Sequence, residues 1–377
     1  MVLTALRWFS ATRIPRALAK AGFEVTLLTP PGSLAEKSGF ITKIAYIPDN
    51  ATPMQWVHAF AATVKGTSAR LVVPCDDTAF RLLQMLALAP PEGLRPEIHL
   101  ELATVIADSL GDSAYYQTSV DKTLLPAAAE ALGIRVPPCA IVEDIAAAET
   151  FGTAHGYPMV LKRRHSSAGE GVAIIERASD VAGAFASLSR TTTVDLETMR
   201  DAHLLAQSFV RGRPKYYQAS AWKGALLAGF AGEKLNAFGD PKAPPTVNRY
   251  HRSDALREVA AKLARGFGMT GFFALEGIVD ERTGDYYLLE INRRLVGGTH
   301  RGSDFNVDHC AALHAALHGL PSPTRADLDP AEEHLSVRFP QEWLRDPESE
   351  WLRNYPVDVP WDDPELFEAM LALQPAP

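Results

Sequence analysis

The segment from Phe272 to Asn292 constrains the fold of this chain more than any other. It consists of two strand-like runs on either side of a polar turn at 281–285, which predicts an antiparallel hairpin. Reflection about Thr283 places Glu276 directly opposite Glu290. The two-residue period of a strand then predicts one shared face for Tyr286, Leu288, Glu290 and Asn292.

This pairing predicts a metal site. Two carboxylates opposed on one face of a sheet repel each other unless a positive group lies between them. Mg²⁺ takes oxygen ligands, usually one or two carboxylates together with substrate phosphates. Glu276, Glu290 and Asn292 are therefore expected to bind Mg²⁺ with a nucleotide. The alternative is another register, in which Glu276 points to solvent.

Candidate phosphate-binding residues precede the hairpin in the chain. Lys162 ends a strand-like run and is followed by a loop rich in serine and glycine, with Ser166, Ser167, Gly169 and Gly171. Backbone N–H groups of a glycine loop form an anion-binding concavity, and a lysine adds a point charge. Lys122, expected one residue into a helix capped by Asp121, is a second candidate cation.

The first hundred or so residues alternate strand and helix patterns, which predicts a parallel sheet. The stretch 8–16 after the first strand has no glycine, so a dinucleotide fingerprint is missing and this layer is not expected to bind a nucleotide. The first 23 residues carry basic residues and no acid, as a transit peptide does. We favour the structural interpretation, in which they form a strand and a helix.

Charge and composition exclude several classes of partner. Lysine and arginine total 37 against 45 acids, the net charge is −8, and the basic residues are dispersed. Nucleic-acid binding needs a basic footprint, and crossing a bilayer needs roughly 20 apolar residues, so neither nucleic acid nor membrane is expected as a partner. The three scattered cysteines favour the cytoplasm.

Several segments between residues 113 and 320 occur in an informative order: Asp121-Lys122, 132–138, 157–162, 166–171, 204–212, Glu276 and the run from Glu290 to Arg294. This ordered set resembles the ATP-grasp superfamily, and within it the carbamoyl-phosphate-synthase-like and carboxylate–amine ligase branches. The resemblance implies an α/β chain with a Rossmann-like N-terminal layer at 1–112 and a two-lobed ATP-grasp domain at 113–325, α+β in its lobes. The small lobe spans about 133–205, and a C-terminal extension at 326–377 wraps the domain.

The resemblance also implies roles for individual residues. Lys122 and Lys162 contact nucleotide phosphates, and the loop at 166–171 closes on them. The hinge that binds adenine corresponds to Gln207, Ser208, Phe209 and Val210. Arg294 matches the arginine near the transferred phosphate. The chain departs from the family pattern in three places: Gln207 replaces a glutamate, Lys215 replaces an acid near the ribose, and Arg293 replaces a proline and adds a guanidinium to the substrate region.

The implied reaction is ATP-dependent joining of a small-molecule carboxylate to an amine through an acyl phosphate, with Mg²⁺ or Mn²⁺ and release of ADP. Arg294 and Lys162 are the candidate catalytic residues. His300 and Arg301 follow closely and are expected to shape the acceptor or carboxylate pocket. Two alternatives remain: a non-catalytic nucleotide-binding protein, and an enzyme that phosphorylates bicarbonate. A homodimer is the ordinary expectation for such a protein.

Overall fold

The computed structural model describes residues 1–7, 9–165, 171–189, 203–239 and 243–373. No helix within these ranges is long and apolar enough to cross a membrane. Their strands form three β-sheets, called here the first, second and third sheet in chain order. The fold class expected from the sequence, α/β with α+β lobes, is confirmed.

The first sheet is parallel, as the alternation of strand and helix patterns predicted. Its strands are β1 Val2–Leu3, β2 Thr26–Thr29, β3 Lys43–Tyr46 and β4 Val73–Pro74. They lie in the order β3-β2-β1-β4, with every pairing parallel. Parallel neighbours need crossover connections. The helices of this part are α1 Ile14–Lys20, α2 Pro53–Thr67, α3 Asp77–Leu88 and α4 Pro96–Leu110.

The second sheet is antiparallel and carries Lys162 on one of its strands. Its strands are β5 Cys139–Val142, β6 Met159–Arg163, β7 Val172–Ile175 and β8 Leu204–Ser208, in the order β5-β8-β6-β7. Helices α5 Leu125–Ala131, α6 Ile145–His155 and α7 Val181–Ser189 belong to the same stretch of chain. Phe151 and Phe185 pack with Met159 and Leu161 in one apolar core, which holds β6 in place.

The third sheet has six antiparallel strands in the order β13-β12-β9-β10-β11-β14. They are β9 Gly212–Trp222, β10 Ala225–Ala237, β11 Pro245–His251, β12 Gly271–Asp280, β13 Tyr286–Asn292 and β14 Glu333–Val337. The remaining α-helices of the described ranges are α8 Asp254–Gly266, α9 His309–Leu317, α10 Gln341–Arg345, α11 Glu350–Asn354 and α12 Pro364–Leu371. Strands β9, β11 and β14 were not predicted from the sequence.

The two faces of the third sheet have different surroundings. One face packs on α8, where Leu256 and Leu263 contact a core that includes Tyr217 and Leu275. Ser253 is the N-cap residue of this helix, and its side chain accepts from Leu256 N. The opposite face holds the acidic residues Glu276 and Glu290, and a smaller apolar cluster covers part of it.

The predicted start of the helix at Asp121 is wrong. Helix α5 begins at Leu125, with Pro126 in its first turn. A proline is tolerated there because the N–H groups of the first turn have no hydrogen-bond partner within the helix. The Asp121 carboxylate instead accepts from Thr123 N at 2.8 Å and pairs with Arg164 Nε at 2.5 Å. Lys122 therefore lies in the turn before the helix.

The C-terminal segment is built into the third sheet. Strand β14 pairs with β11 along five residues, and the chain then forms short helices. Trp343 packs against Phe339, whereas Trp361 is 74% exposed and buries little surface. The proposed domain boundaries stay a prediction.

Candidate active site

The acidic hairpin forms the centre of the candidate site. Glu276 on β12 pairs directly with Glu290 on β13, which confirms the predicted opposition of the two carboxylates. Asn292 lies two residues further along β13 and donates from Nδ2 to Glu276 Oε1 at 2.8 Å. Three side chains that carry oxygen ligands therefore lie on one patch of the third sheet.

A β-bulge corrects the predicted face of the second strand. The predicted register holds from Ala274–Asn292 to Glu276–Glu290, but Gly277 pairs with Leu288, so Leu289 is an extra residue. Because the extra residue reverses the alternation of side chains, Tyr286 and Leu288 lie in the α8 core together with Ile291. The prediction that Tyr286 and Leu288 share a face with Glu290 and Asn292 is therefore wrong.

Two buried lysines come from the chain before the third sheet. Lys122 Nζ lies 3.2 Å from Glu290 Oε2, and its backbone N–H donates to Arg164 O at 3.1 Å. Lys162 lies on β6 and is 6% exposed. Burial, opposed by the charge of Glu290 and aided by the charge of Lys122, lowers the pKa of Lys162 to about 8. The structure thus brings both predicted lysines to the acid pair.

The two carboxyl groups have opposite pKa shifts. Burial, followed by the charge of Glu290, raises the pKa of Glu276 to about 7. Burial also acts to raise the pKa of Glu290, but Lys122 and Lys162 outweigh it and hold the pKa below its ordinary value. At neutral pH Glu290 is therefore ionised beside the lysines, whereas ionisation of Glu276 is unfavourable.

Arg294 faces the acid pair and is held by a residue of the N-terminal part. Its Nε donates to Asp77 Oδ1 at 2.7 Å, and the carboxylates of Asp77, Glu276 and Glu290 all favour its charged form. Asp77 is the first residue of α3, at the carboxyl end of β4. Asp77 was not predicted from the sequence; its position just after a parallel strand is the signal that could have identified it.

The structure does not bring Arg293 to the acid pair. Arg293 is 2% exposed, and its guanidinium donates to Leu110 O and to Ser119 Oγ and lies over the Phe80 ring at 5.6 Å. Alternation along the chain after β13 turns Arg293 away from the face that Asn292 and Arg294 share. The expectation that Arg293 adds a second guanidinium beside the substrate is wrong.

His300 and Arg301 lie after the glycine pair Gly297–Gly298 and are both engaged within the protein. His300 Nε2 lies 2.8 Å from Asp358 Oδ2, and burial lowers the pKa of His300 to about 4. Arg301 Nη1 pairs with Asp304 at 2.5 Å. Both side chains are held by acids of the protein, and their role in shaping a substrate pocket stays a prediction.

The predicted adenine hinge joins the second and third sheets. Gln207 is 2% exposed on β8, and Ser208 donates its N–H to Pro138 O at 2.8 Å. Phe209 and Val210 follow and lead to β9. In the predicted mobile loop, Ser166, Ser167 and Gly169 lie outside the described residues, while Gly171 accepts from Arg163 N at 2.8 Å.

Lys215, which stands where an acid was expected near a ribose, is paired. Its Nζ donates to Glu233 Oε2 at 2.5 Å and lies 3.2 Å from His251 Nε2. Arg249 Nη1 also contacts Glu233, at 2.9 Å. The acid of this network therefore comes from β10, one strand away from the position at which the family pattern predicts it.

Comparison with known proteins gives a consistent class. No protein-family model matches the chain. In sequence, the carbamoyl phosphate synthase large chain of Rubrobacter xylanophilus is 22% identical over 361 residues, covering 88% of this chain and 32% of that relative. This chain thus spans about a third of the length of the curated relative that it matches.

Solved structures extend the likeness to the three-dimensional fold. A β-γ-ATP complex of biotin carboxylase from Campylobacter jejuni has a TM-score of 0.68 at 16% identity, covering 89% of this chain and 74% of that one. N5-carboxyaminoimidazole ribonucleotide synthetase from Thermus thermophilus has a TM-score of 0.63 at 15% identity, covering 89% and 82%. A biotin carboxylase domain dimer from Hydrogenobacter thermophilus, described with MgADP and bicarbonate, has a TM-score of 0.66 at 15% identity, covering 89% and 73%.

The fold of this chain is the ATP-grasp fold, as its ordered motifs predicted. Within that fold, the chain is similar to carbamoyl-phosphate-synthase-like and carboxylate–amine ligase proteins, and each of these similar proteins is named as an enzyme.

Proposed function

We propose that the chain is an ATP-dependent ligase that joins a small carboxylic acid to an amine through an acyl phosphate. The observation that carries this proposal is the opposed pair Glu276–Glu290, in which Glu290 lies 3.2 Å from Lys122 and in the field of Lys162. Opposed carboxylates this close repel each other and destabilise a protein. Their presence beside two buried lysines fits a site that receives both a divalent cation and phosphate groups.

The donor set fits Mg²⁺. Glu276, Glu290 and Asn292 offer two carboxylates and one amide, and the phosphates of a nucleotide complete such a set. Among the described residues no group of three or more His, Cys, Asp and Glu side chains could hold a metal ion. The phosphates of the nucleotide are therefore needed to complete the ligand set. Mg²⁺ bound there supplies charge neutralisation for the transferred phosphoryl group.

The basic residues supply the remaining charge compensation. Lys122 and Lys162 bind nucleotide phosphates, and Arg294, oriented by Asp77, balances charge on the transferred phosphoryl group. Gln207 to Val210 hold the adenine through the backbone. The loop at 166–171 excludes water from the acyl phosphate.

The reaction balances without an external oxidant or reductant. A carboxylate oxygen of the substrate forms a bond to the γ-phosphorus, the bond from that phosphorus to the bridging oxygen breaks, and ADP leaves. The amine nitrogen then attacks the acyl carbon, phosphate leaves, and the amine proton passes to solvent. The work of the protein is positioning and charge neutralisation.

The test incubates the protein with Mg²⁺, ATP and a panel of carboxylic acids and amines. ADP release is followed, and hydroxylamine traps the acyl phosphate as a hydroxamate. We expect acid-dependent ADP release and hydroxamate in the wild type and loss of both in Glu290→Ala. Silence across the panel, combined with no nucleotide binding, would overturn the proposal.

Phosphorylation of bicarbonate is a second candidate, because two of the similar structures are described as biotin carboxylases, one of them with bicarbonate bound. ADP release that depends on bicarbonate alone distinguishes it. A non-catalytic nucleotide-binding protein, favoured only by Gln207 and Lys215, would bind MgATP and release no ADP with any acid.

We also propose a homodimer that acts on small molecules, following the dimer described for one similar structure. Sedimentation equilibrium between low and high micromolar concentrations tests this. A single species with a mass near 41.0 kDa would contradict it.

A further inference from the structure

The face of the third sheet that carries the acid pair continues as a polar surface beyond it. The strand registers place Glu276 beside Tyr216, Tyr216 beside Gly232, and Gly232 beside Tyr250. Residues paired in this way share one face of the sheet. The row therefore leads from the candidate metal ligands on β12 across to β11.

Tyr216 bridges two strands of this row. A Cβ atom at Gly232 would lie 2.4 Å from the Tyr216 ring, so glycine leaves the space through which the ring reaches β11. The Tyr216 hydroxyl donates to Asn248 Oδ1 at 2.8 Å. This bond turns the amide nitrogen of Asn248 away from Tyr216, and that buried Nδ2 has no hydrogen-bond partner in the described part of the chain.

Gln218 adds a second unsatisfied amide on the same face. It is 1% exposed, and neither its Oε1 nor its Nε2 has a partner among the described residues. The glycine pair Gly297–Gly298 lies directly against it, since a Cβ at Gly298 would be 3.1 Å from Gln218 Nε2. Buried polar groups are costly unless they are hydrogen-bonded, so these amides indicate a polar ligand.

Arg338 provides the cation of this surface. It follows β14 directly, and a Cβ at Gly297 would lie 2.6 Å from Arg338 Nη1. Its side chain forms no ion pair with the described residues, and its Nε is buried without a partner. Arg294 and Arg301, which flank the glycine pair in sequence, each form an ion pair, with Asp77 and Asp304, although the Nε of Arg301 is also buried without a partner in the described part of the chain.

Arg338 and the acid pair lie in one electrostatic environment. Burial raises the pKa of the Tyr216 hydroxyl well above its ordinary value, and the charges of both Arg338 and Glu276 act on the same group. Arg294 and Gly297 are three residues apart, so their Cα atoms are at most about 11 Å apart. The two arginines can therefore meet opposite ends of one small molecule.

We propose that Arg338 binds a second, non-reacting carboxylate of the acid substrate, so that the site selects small dicarboxylic acids over monocarboxylic acids. The Asn248 and Gln218 amides hydrogen-bond polar groups between the two ends of the substrate. This inference rests on the proposed function, since it concerns the same site and assumes that an acid is the group phosphorylated.

The test measures acid binding to protein saturated with Mg²⁺ and a non-hydrolysable ATP analogue, by calorimetry. The probes are succinate, glutarate and adipate, each compared with butyrate, pentanoate or hexanoate of the same length. We expect at least one diacid to bind tenfold or more tightly than its monoacid counterpart. In Arg338→Gln this preference falls to within about twofold, as expected from loss of a charge-assisted pair, and Arg338→Lys retains part of it.

Arg353→Gln is the matched control, because Arg353 lies in the same C-terminal segment and is 61% exposed. Circular dichroism checks that each variant folds. The inference is overturned if no diacid exceeds its monoacid counterpart, or if Arg338→Gln keeps the preference. Nucleotide binding is measured first without acid: its absence counts against the proposed function, whereas nucleotide binding without a diacid preference counts against the role of Arg338 alone.

Discussion

Glu276 and Glu290 lie directly opposite each other on β12 and β13, yet only Glu290 has a lysine within 3.2 Å. Glu276 accepts a hydrogen bond from the neutral amide of Asn292 at 2.8 Å. Desolvation and the charge of Glu290 make ionisation of Glu276 costly, and a divalent cation would lower that cost. A site of this kind lowers the stability of the ligand-free protein and strengthens the binding of Mg²⁺ and phosphate.

Glu276→Gln is expected to stabilise the metal-free protein while it removes activity. Folding raises the pKa of Glu276 from 4.5 to about 7, so ionisation destabilises the fold increasingly from pH 4.5 to 7 and constantly above. Because Glu276 is exposed on this face of the sheet, solvent screens part of the effect, and the variant should gain about 1 kcal/mol in free energy of unfolding at pH 8 and nothing below pH 4.5. Urea unfolding at both pH values, without metal, measures this.

The matching control for that variant is Glu281→Gln, in the exposed turn of the same hairpin. It should leave both stability and activity unchanged. Mg²⁺-dependent ADP release should fall at least roughly a hundredfold in Glu276→Gln. Equal stability of Glu276→Gln and the wild type at pH 8 would contradict the strain assigned to the acid pair.

Lys162→Met is expected to weaken MgATP binding roughly tenfold to a hundredfold, because a buried cation that faces phosphate is removed. Burial lowers the pKa of Lys162 to about 8, so the wild-type affinity for MgATP should decline as the pH rises from 7 to 9. The variant should show no such decline. Equilibrium dialysis at several pH values measures both, and Lys65→Met on the exposed side of α2 is the control.

Arg293→Ala is expected to destabilise the protein by about 2–4 kcal/mol without changing substrate affinity. The substitution leaves a cavity at a fully buried position and removes hydrogen bonds to Leu110 O and Ser119 Oγ. Chemical unfolding gives the stability, and steady-state kinetics at low temperature gives KM. A raised KM with normal stability would instead place Arg293 at the substrate.

His300 is expected to make the fold sensitive to mild acid. Burial lowers its pKa from 6.5 to about 4, so the unfolded state binds a proton first, and stability falls as the pH drops through 6.5 toward 4. The loss should reach about 2 kcal/mol at pH 4.5. The pKa of Asp358, lowered to about 2, acts only below pH 3.8.

His300→Gln should remove the part of this pH dependence that lies between pH 6.5 and 4.5. Urea unfolding of the variant and the wild type at half-unit pH steps measures the difference. His155→Gln, at the end of α6, is the control and should leave the slope unchanged. An unchanged slope in His300→Gln would show that another group is responsible.

The local part of the site was predictable from the sequence because strand pairing around a short turn follows from symmetry about that turn. Glu276 opposite Glu290 is a consequence of this rule, as is the position of Asn292 beside them. The bulge at Leu289 was not predictable. One extra residue in a strand leaves no mark in the composition of that strand, and the alternation on either side of it looks regular. It decides which residues of β13 enter the core.

Residue type and short-range spacing were enough to predict the order of the motifs, the acid pair and the two lysines, although not strands β9, β11 and β14. That Asp77 orients Arg294, that Arg293 turns into the protein, and that Arg338 lies against Gly297 follows only from the tertiary packing. These contacts join residues up to 217 positions apart. They depend on how three sheets pack, and side-chain periodicity within one element carries no information about that packing.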